Sequence, residues 1–377
     1  MGFFSRRPRD GPASSSNGNV APHHHHSARD PFYSMATRPS FGQWLRVTWL
    51  DILTMACMGA VGLGVYEAHP APSRSFAVTF NSDGEVVYPE FAYPLRKEIV
   101  PIWLAAFLAS IIPIVVILVM QIRIRSFWDV NNGIIGLLYS LITAAVFQVF
   151  LKWLIGGLRP HFLTVCKPDA SQVANAVGSG YNAAGFNQIY FTREICTGDR
   201  DQIDDSLESF PSGHTTAAFA GFVYLYLYLN AKLKVFSNYH PAMWKLIVIY
   251  MPILGATLIG GALTIDEFHN WYDILAGAII GTVMAFSAYR MCYAAIWDWR
   301  WNHIPLNRGA PFEFGNPELA GATFTRRVGW GSASGASGPY AEKYGNGAGM
   351  SGAARNGVTP PRKAVGSGPV RRGDDMV

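Results

Sequence analysis

Two histidines, two cations and a carboxylate stand in three short polar segments that border long apolar stretches: KWLIGGLRP (152–160), FPSGH (210–214) and IDEFHNWYD (265–273). Ionisable groups at membrane depth are costly and are usually retained for function, so their gathering on three segments points to one site. In the first segment Lys152 and Arg159 are seven residues apart, close to two helical turns. A helix running on to Leu158 and stopped by Pro160 would carry both on one face. Two such cations suit a phosphoryl group, the arginine as a planar fork and the lysine as a point charge. A lone lysine at a span end is more often a snorkelling anchor. In the second segment Ser212 is a natural N-cap, Gly213 lets backbone approach a ligand, and a helix start binds anions through its free N–H groups. His214 would sit beside that anion. In the third, His269 and Asp273 are four apart. On a helix the carboxylate would hold one ring nitrogen while the other is aimed outward as a base or nucleophile. A polar interface histidine would explain the second segment alone and ordinary polar capping the third; the three together fit phosphoryl transfer.

The elements that must position these groups are membrane spans. Of 377 residues 50% are hydrophobic, 14% aromatic and only 15% charged, and the mean hydropathy is +0.16 despite polar tails. Apolar stretches of spanning length run roughly over Thr48–Tyr66, Val100–Met120, Gly133–Leu154, His214–Leu233, Leu246–Leu263 and Ile274–Trp297. An even number puts both termini on one side. The tail to Arg46 holds six arginines against two aspartates, Arg123 and Arg125 follow the second span, and Lys232, Lys234 and Lys245 surround the link after the fourth. Those segments should be cytoplasmic. The 161–210 segment carries three basic against seven acidic residues, and with the net acidic 67–98 link it should face the lumen or exterior. All three polar segments fall at span ends on that side. No cleavable signal is apparent, and the first apolar segment reads as a signal anchor.

The expected organisation is a disordered cytoplasmic tail over 1–43, a six-span all-α membrane domain over 44–300, and a disordered Gly/Ser/Arg-rich cytoplasmic tail over 301–377. The run His23–His26 is read as a compositional accident, and the basic C-terminal tail as either solubilising or touching anionic lipid. Cys57 and Cys292 lie inside spans as apolar fillers. Cys166 and Cys196 share the acidic segment, where an oxidising lumen would let them pair; two free thiols is the alternative.

The order K-x6-RP, PSGH, H-x3-D resembles the type 2 phosphatidic acid phosphatases (PAP2), membrane lipid phosphate phosphatases related in fold to vanadium haloperoxidases. LRPHFLTVCKPD (158–169), the ICTG run, SFPSGHTT (209–216) and the pattern at Tyr93, Pro94, Val100 and Pro101 are similar to the lipid phosphate phosphatase and diacylglycerol pyrophosphate phosphatase branch. The resemblance implies a haloperoxidase-like helical core. It makes Lys152, Arg159, Ser212 and Gly213 the phosphate contacts and His214 the general acid. His269 becomes the nucleophile, with Asp273 orienting it. It implies no metal and no cofactor, because cations and a helix N-terminus stabilise the equatorial oxygens. The expected partners are a lipid phosphate and the bilayer, with no nucleic acid; the oligomeric state is left open. The substrates would be phosphatidate, lysophosphatidate, diacylglycerol pyrophosphate or sphingoid-base phosphates. The location would be an endomembrane (vacuole, Golgi, ER) or the plasma membrane.

One position departs from the family. Its third motif normally begins Ser-Arg, and here those positions are Ala262 and Leu263. Losing one charged hydrogen bond costs about 1.5–3 kcal/mol, and a transition-state donor about 100-fold in rate. His161 is the residue best placed in sequence to compensate. The alternative is therefore a weakened or inactive relative that binds lipid phosphate without turnover. A small transporter is a third reading, set aside because the charges lie at span ends. A metal site on Asp266, Glu267, His269 and Asp273 is opposed by the nearby Lys152 and Arg159.

Overall fold

The computed structural model describes residues 38–68, 75–78, 89–174 and 190–306, with 308, 312 and 314. The His23–His26 run and most of both expected tails lie outside these residues. The long helices are α1 (Phe41–Tyr66), α2 (Ile102–Ile124), α3 (Phe127–Leu154), α7 (Gly213–Leu233), α8 (Met243–Ile265) and α9 (Trp271–Cys292). Between α3 and α7 lie the short α4 (Phe162–Cys166), α5 (Ala170–Ala174) and α6 (Arg200–Ser206). A two-residue antiparallel pair, β1 (Phe76–Ala77) with β2 (Tyr190–Phe191), is the exception to the helical class.

Four of the six long helices start where the sequence offers a cap, while α2 and α8 follow Pro101 and Ala242 with no side-chain cap. Ser40 and Gln43 form a capping box on α1, Ser126 accepts from Asp129 N on α3, Ser212 accepts from Thr215 N on α7, and Asn270 with Asp273 boxes α9. Among the described residues five helices, all of these except α7, are long and apolar enough to cross a membrane. α7 differs because it is the central helix. It packs on α9, α8, α2 and α3, buries Tyr224, Tyr228, Asn230 and Lys232, and so has no need of a uniformly apolar surface. α1, which packs on α3, exposes Leu50, Leu53 and Leu63, as lipid-facing residues should be.

α1 and α3 begin seven and six residues before the expected Thr48 and Gly133, at the Ser40 and Ser126 caps, and two boundaries toward the C-terminus also differ from expectation for identifiable reasons. The last helix stops at Cys292 rather than Trp297, because Tyr293 is extended (φ −126°, ψ 150°) and Ala294 N bonds Ile304 O in a returning loop. Residues 301–306, expected in the tail, pack back on the body, with Trp301 and Ile304 buried. The lysines counted as cytoplasmic charge are also internal. Lys232 pairs with Asp129, both fully buried, Lys234 binds Trp299 O, Asn302 and His303, and Lys245 binds Leu233 O and Tyr239.

Candidate active site

The first two polar segments are joined through main chain. Gly157 N donates to Leu207 O (2.8 Å) and Arg159 N to Ser206 O (2.9 Å), while Ser209 N and Phe210 N donate to Gly157 O and Gly156 O (3.1 and 3.2 Å). Gly156 (φ 54°) and Gly157 (φ 137°) make this turn, and the second value is open only to glycine. The third segment is tied to both others. Ser212 N donates to Asp273 O at 3.1 Å, Ser209 Oγ to Asp273 Oδ2 at 2.5 Å, and Asn270 Nδ2 to Leu158 O at 3.0 Å. Gln148 Nε2, from α3, holds Pro211 O at 3.1 Å.

Two local expectations are corrected by this geometry. α3 ends at Leu154, so Lys152 and Arg159 do not share a helical face; the double-glycine turn carries Arg159 back to the site instead. His269 precedes the N-cap Asn270 and lies outside α9, with its N–H on Leu263 O (3.2 Å). It meets Asp273 across the first turn of the helix, not along a helical stripe.

The five sequence-predicted ionisable residues are nevertheless brought together. His214 and His269 lie with ring centroids 6.2 Å apart. His269 Nδ1 is 3.6 Å from Asp273 Oδ2, too long for a hydrogen bond and short enough to orient the ring; such contacts often tighten once substrate is bound. Burial pushes the His269 pKa down to about 4; its interaction with Asp273 acts in the opposite direction, and Arg159 lowers it further. Lys152 sits 3.4 Å from Glu208 and Arg159 2.6 Å from Asp205, and the Arg159 guanidinium lies 5.5 Å from the Phe268 ring centre. Ser212 is fully buried as the α7 N-cap, and a Cβ on Gly213 would meet Gln148 Nε2 at 3.5 Å, ordinary contact. Seven buried side-chain polar atoms lack a hydrogen-bond partner among the described residues, and four of them are here: Arg159 Nε, His214 Nε2, His269 Nδ1 and Asp273 Oδ1. Concentrated orphan groups of this kind mark a place shaped for a ligand.

Sequence reasoning missed the groups around these residues. Asp205, Glu208 and Glu98 count there only as acidic loop charge, Ser209 enters only as part of SFPSGHTT, and Gln148 is assigned no role. Closeness to the PSGH segment was a signal for Asp205, Glu208 and Ser209 alone. His161, considered as a compensating cation, is instead a packing residue. Its Nδ1 lies 3.0 Å from Glu267 O, its ring meets Phe268 edge-on, and burial holds it below the usual histidine range. Leu263 is fully buried. Of the residues weighed for a metal, Asp266 accepts from Ile99 N and Phe268 N. No cluster of three His, Cys, Asp or Glu suited to a metal occurs among the described residues. Cys166 and Cys196 are disulfide-bonded, joining the ends of the segment behind Arg159.

A sequence profile of the PAP2 superfamily matches residues 133–297, which contain every one of these groups except Glu98. The chain is 33% identical to Lipid phosphate phosphatase 2 of Arabidopsis thaliana over 216 residues, 57% of this chain and 69% of that protein. It is 33% identical to Lipid phosphate phosphatase 1 of the same plant over 211 residues (56% and 60%). It is 30% identical to Diacylglycerol pyrophosphate phosphatase 1 of Saccharomyces cerevisiae over 168 residues (44% and 54%). The chain thus spans about 60% of the length of Lipid phosphate phosphatase 1. No solved structure matches it. With its helices of membrane-crossing length, the chain is a multi-pass membrane protein and belongs to the PAP2 superfamily.

Proposed function

We propose that this protein is a metal-independent lipid phosphate phosphatase working through a phosphohistidine on the lumenal or extracellular face of the membrane. The convergence of Lys152, Arg159, His214, His269 and Asp273 on one buried cluster of unpartnered polar atoms carries the reading. α7 would be the sixth span, with both termini cytoplasmic. The names of the Arabidopsis and yeast relatives support lipid phosphates and diacylglycerol pyrophosphate as substrates; phosphatidate and lysophosphatidate are our extension of that class.

In this scheme the phosphoryl group lies between the two histidines. Lys152, Arg159 and the first N–H groups of α7 hold its oxygens. His269 Nε2 attacks phosphorus, the bond from phosphorus to the ester oxygen breaks, and His214 delivers a proton to that oxygen as the lipid alcohol leaves. Water then attacks the phosphohistidine and gives its proton to His214, releasing orthophosphate and restoring His269. Asp273 stabilises the charge that His269 gains, while the Ser209 and Asn270 bonds to Oδ2 keep the carboxylate aimed. Because Lys152 and Arg159 already face Glu208 and Asp205, the bound phosphate shares its cations with two carboxylates.

A second reading rests on Leu263, which leaves the site without the family's third-motif arginine: a relative that binds lipid phosphate without turnover. Phosphate release from a lipid panel in EDTA, for the wild type, His269→Ala and Leu263→Arg, separates the two. The proposal expects release by the wild type that falls at least about 1,000-fold in His269→Ala and rises about 10-fold in Leu263→Arg as a cation that no carboxylate offsets joins the site. Silence of the wild type with release by Leu263→Arg would identify a relative disabled at that position. Silence of all three would favour the binding protein.

A further inference from the structure

Glu98 takes no part in the reaction above, yet its carboxylate faces the site. Oε1 is 3.8 Å from His214 Nε2, beyond hydrogen-bond reach, and among the described residues neither oxygen accepts a hydrogen bond. The segment bearing it is fastened on both sides of the residue. Arg96 Nη1 donates to Ile265 O at 2.9 Å and Ile99 N to Asp266 Oδ2 at 3.1 Å. Glu98 is therefore held in place with its side chain 26% exposed and, among the described residues, no hydrogen-bond donor on it. Burial and the neighbouring Asp205 and Asp266 raise its pKa, against the pull of Arg159 and Lys152. A half-buried acceptor in that position calls for a hydrogen or a positive charge from the ligand.

The ligand atoms that come nearest are predictable from the proposed reaction, on which this inference rests. His214 protonates the ester oxygen, so the first carbons of the leaving group lie beside its Nε2, within reach of Glu98. We propose that Glu98 selects the leaving group, favouring lipid monophosphates that carry an ammonium or a free hydroxyl on the carbon next to the phosphoester carbon. A fully acylated glycerol presents only ester acceptors there, and a diphosphate presents a second anion. Both leave the carboxylate unmet or repelled. Sites that bind a substrate N–H or O–H discriminate strongly against analogues lacking it.

The test uses the purified full chain in detergent with EDTA. It measures kcat/KM for a sphingoid-base 1-phosphate, lysophosphatidate, phosphatidate and diacylglycerol pyrophosphate in the wild type, Glu98→Gln and Glu98→Ala. Ratios between substrates within one preparation do not depend on how much of it is folded. Removing the carboxylate in Glu98→Ala should lower the donor-bearing substrates about 10- to 100-fold relative to phosphatidate and improve diacylglycerol pyrophosphate relative to the others. The glutamine amide still accepts a hydrogen bond, so Glu98→Gln should keep most of the preference for a hydroxyl and lose that for an ammonium. Unchanged ratios in both variants would overturn the inference. So would an equal gain on all four substrates, which would mark Glu98 as an anion standing where phosphate binds. A wild type that releases no phosphate from any of the four would instead sink the phosphatase reading itself, and the selection with it.

Discussion

At the scale of single residues, the chemistry rests on the protonation of His269. Its pKa, pushed down to about 4 by burial, keeps the ring neutral well below pH 6.5, as the proposed nucleophile requires. Lipid monophosphates have their own second ionisation near pH 6, which comparison of substrates of different phosphate acidity divides out. The remaining acid limb of kcat/KM should then have its midpoint near pH 4; a limb fixed at 6.5 would mean an ordinary histidine. Stability runs in the same direction. Between pH 6.5 and about 4 the unfolded chain gains a proton at residue 269 that the folded one does not, so folding weakens as pH falls through that window. The five clustered ionisable residues were legible in the sequence because membrane depth makes each ionisable group conspicuous. Their partners were not, since Asp205, Glu208 and Glu98 look like ordinary loop charge until the fold sets them against Arg159, Lys152 and His214.

At the scale of elements, the bundle is held by close approaches that only small residues permit. A Cβ on Gly221 would lie 2.1 Å from Ala109 O and 2.8 Å from Ala109 C, where α7 crosses α2, whereas one on Gly255 would meet Phe222 at 3.7 Å. Gly221→Ala must push two helices apart and should cost about 1–3 kcal/mol, seen as a lower melting temperature of the detergent-solubilised protein. Gly255→Ala should be neutral or stabilising, by about 0.4–1 kcal/mol. Equal melting temperatures for the two would disprove the backbone contact. Helix positions were readable from apolar runs, and the starts of α2, α7, α8 and α9 fell within about three residues; α1 and α3 begin seven and six residues earlier than expected, because the first turns after the Ser40 and Ser126 caps carry polar residues. Ends were read more closely: Tyr66, Leu154 and Leu233 stand where the apolar runs stop, whereas α9 ends early at Cys292 because the 293–306 return packs on the body. What no local pattern announces is that Gly156 and Gly157 pair with residues 208–210, some fifty positions away.

At the scale of the whole molecule, charge serves two purposes that composition cannot separate. Lys232, Lys234 and Lys245 counted toward orientation in the sequence, yet all three are buried in polar networks that fasten α7 to α3, α8 and the 293–306 return. The arginines of the N-terminal tail and of 123–125 are the residues that carry the orientation argument. On the opposite side the Cys166–Cys196 bond closes a separation of 30 residues. Bonds from Thr197 N and Gly198 N to Cys166 O reinforce it. Replacing both cysteines by serine should remove about 3 kcal/mol, read as a lower melting temperature that reductant reproduces in the wild type. Insensitivity to reductant would show that the pair adds nothing.

The double-glycine turn has a further meaning for how this site tolerates change. Its bonds to residues 206–210 are main chain to main chain, so they are blind to which side chains the neighbouring positions carry. Lys152, Glu208 and Ser209 can each be exchanged without cutting one of those bonds, and the loss that follows reports the missing functional group rather than a collapsed frame. Gly157, at φ 137°, has no such freedom. It touches no substrate in the proposed reaction, yet it is as fixed in identity as the histidines, by backbone geometry alone.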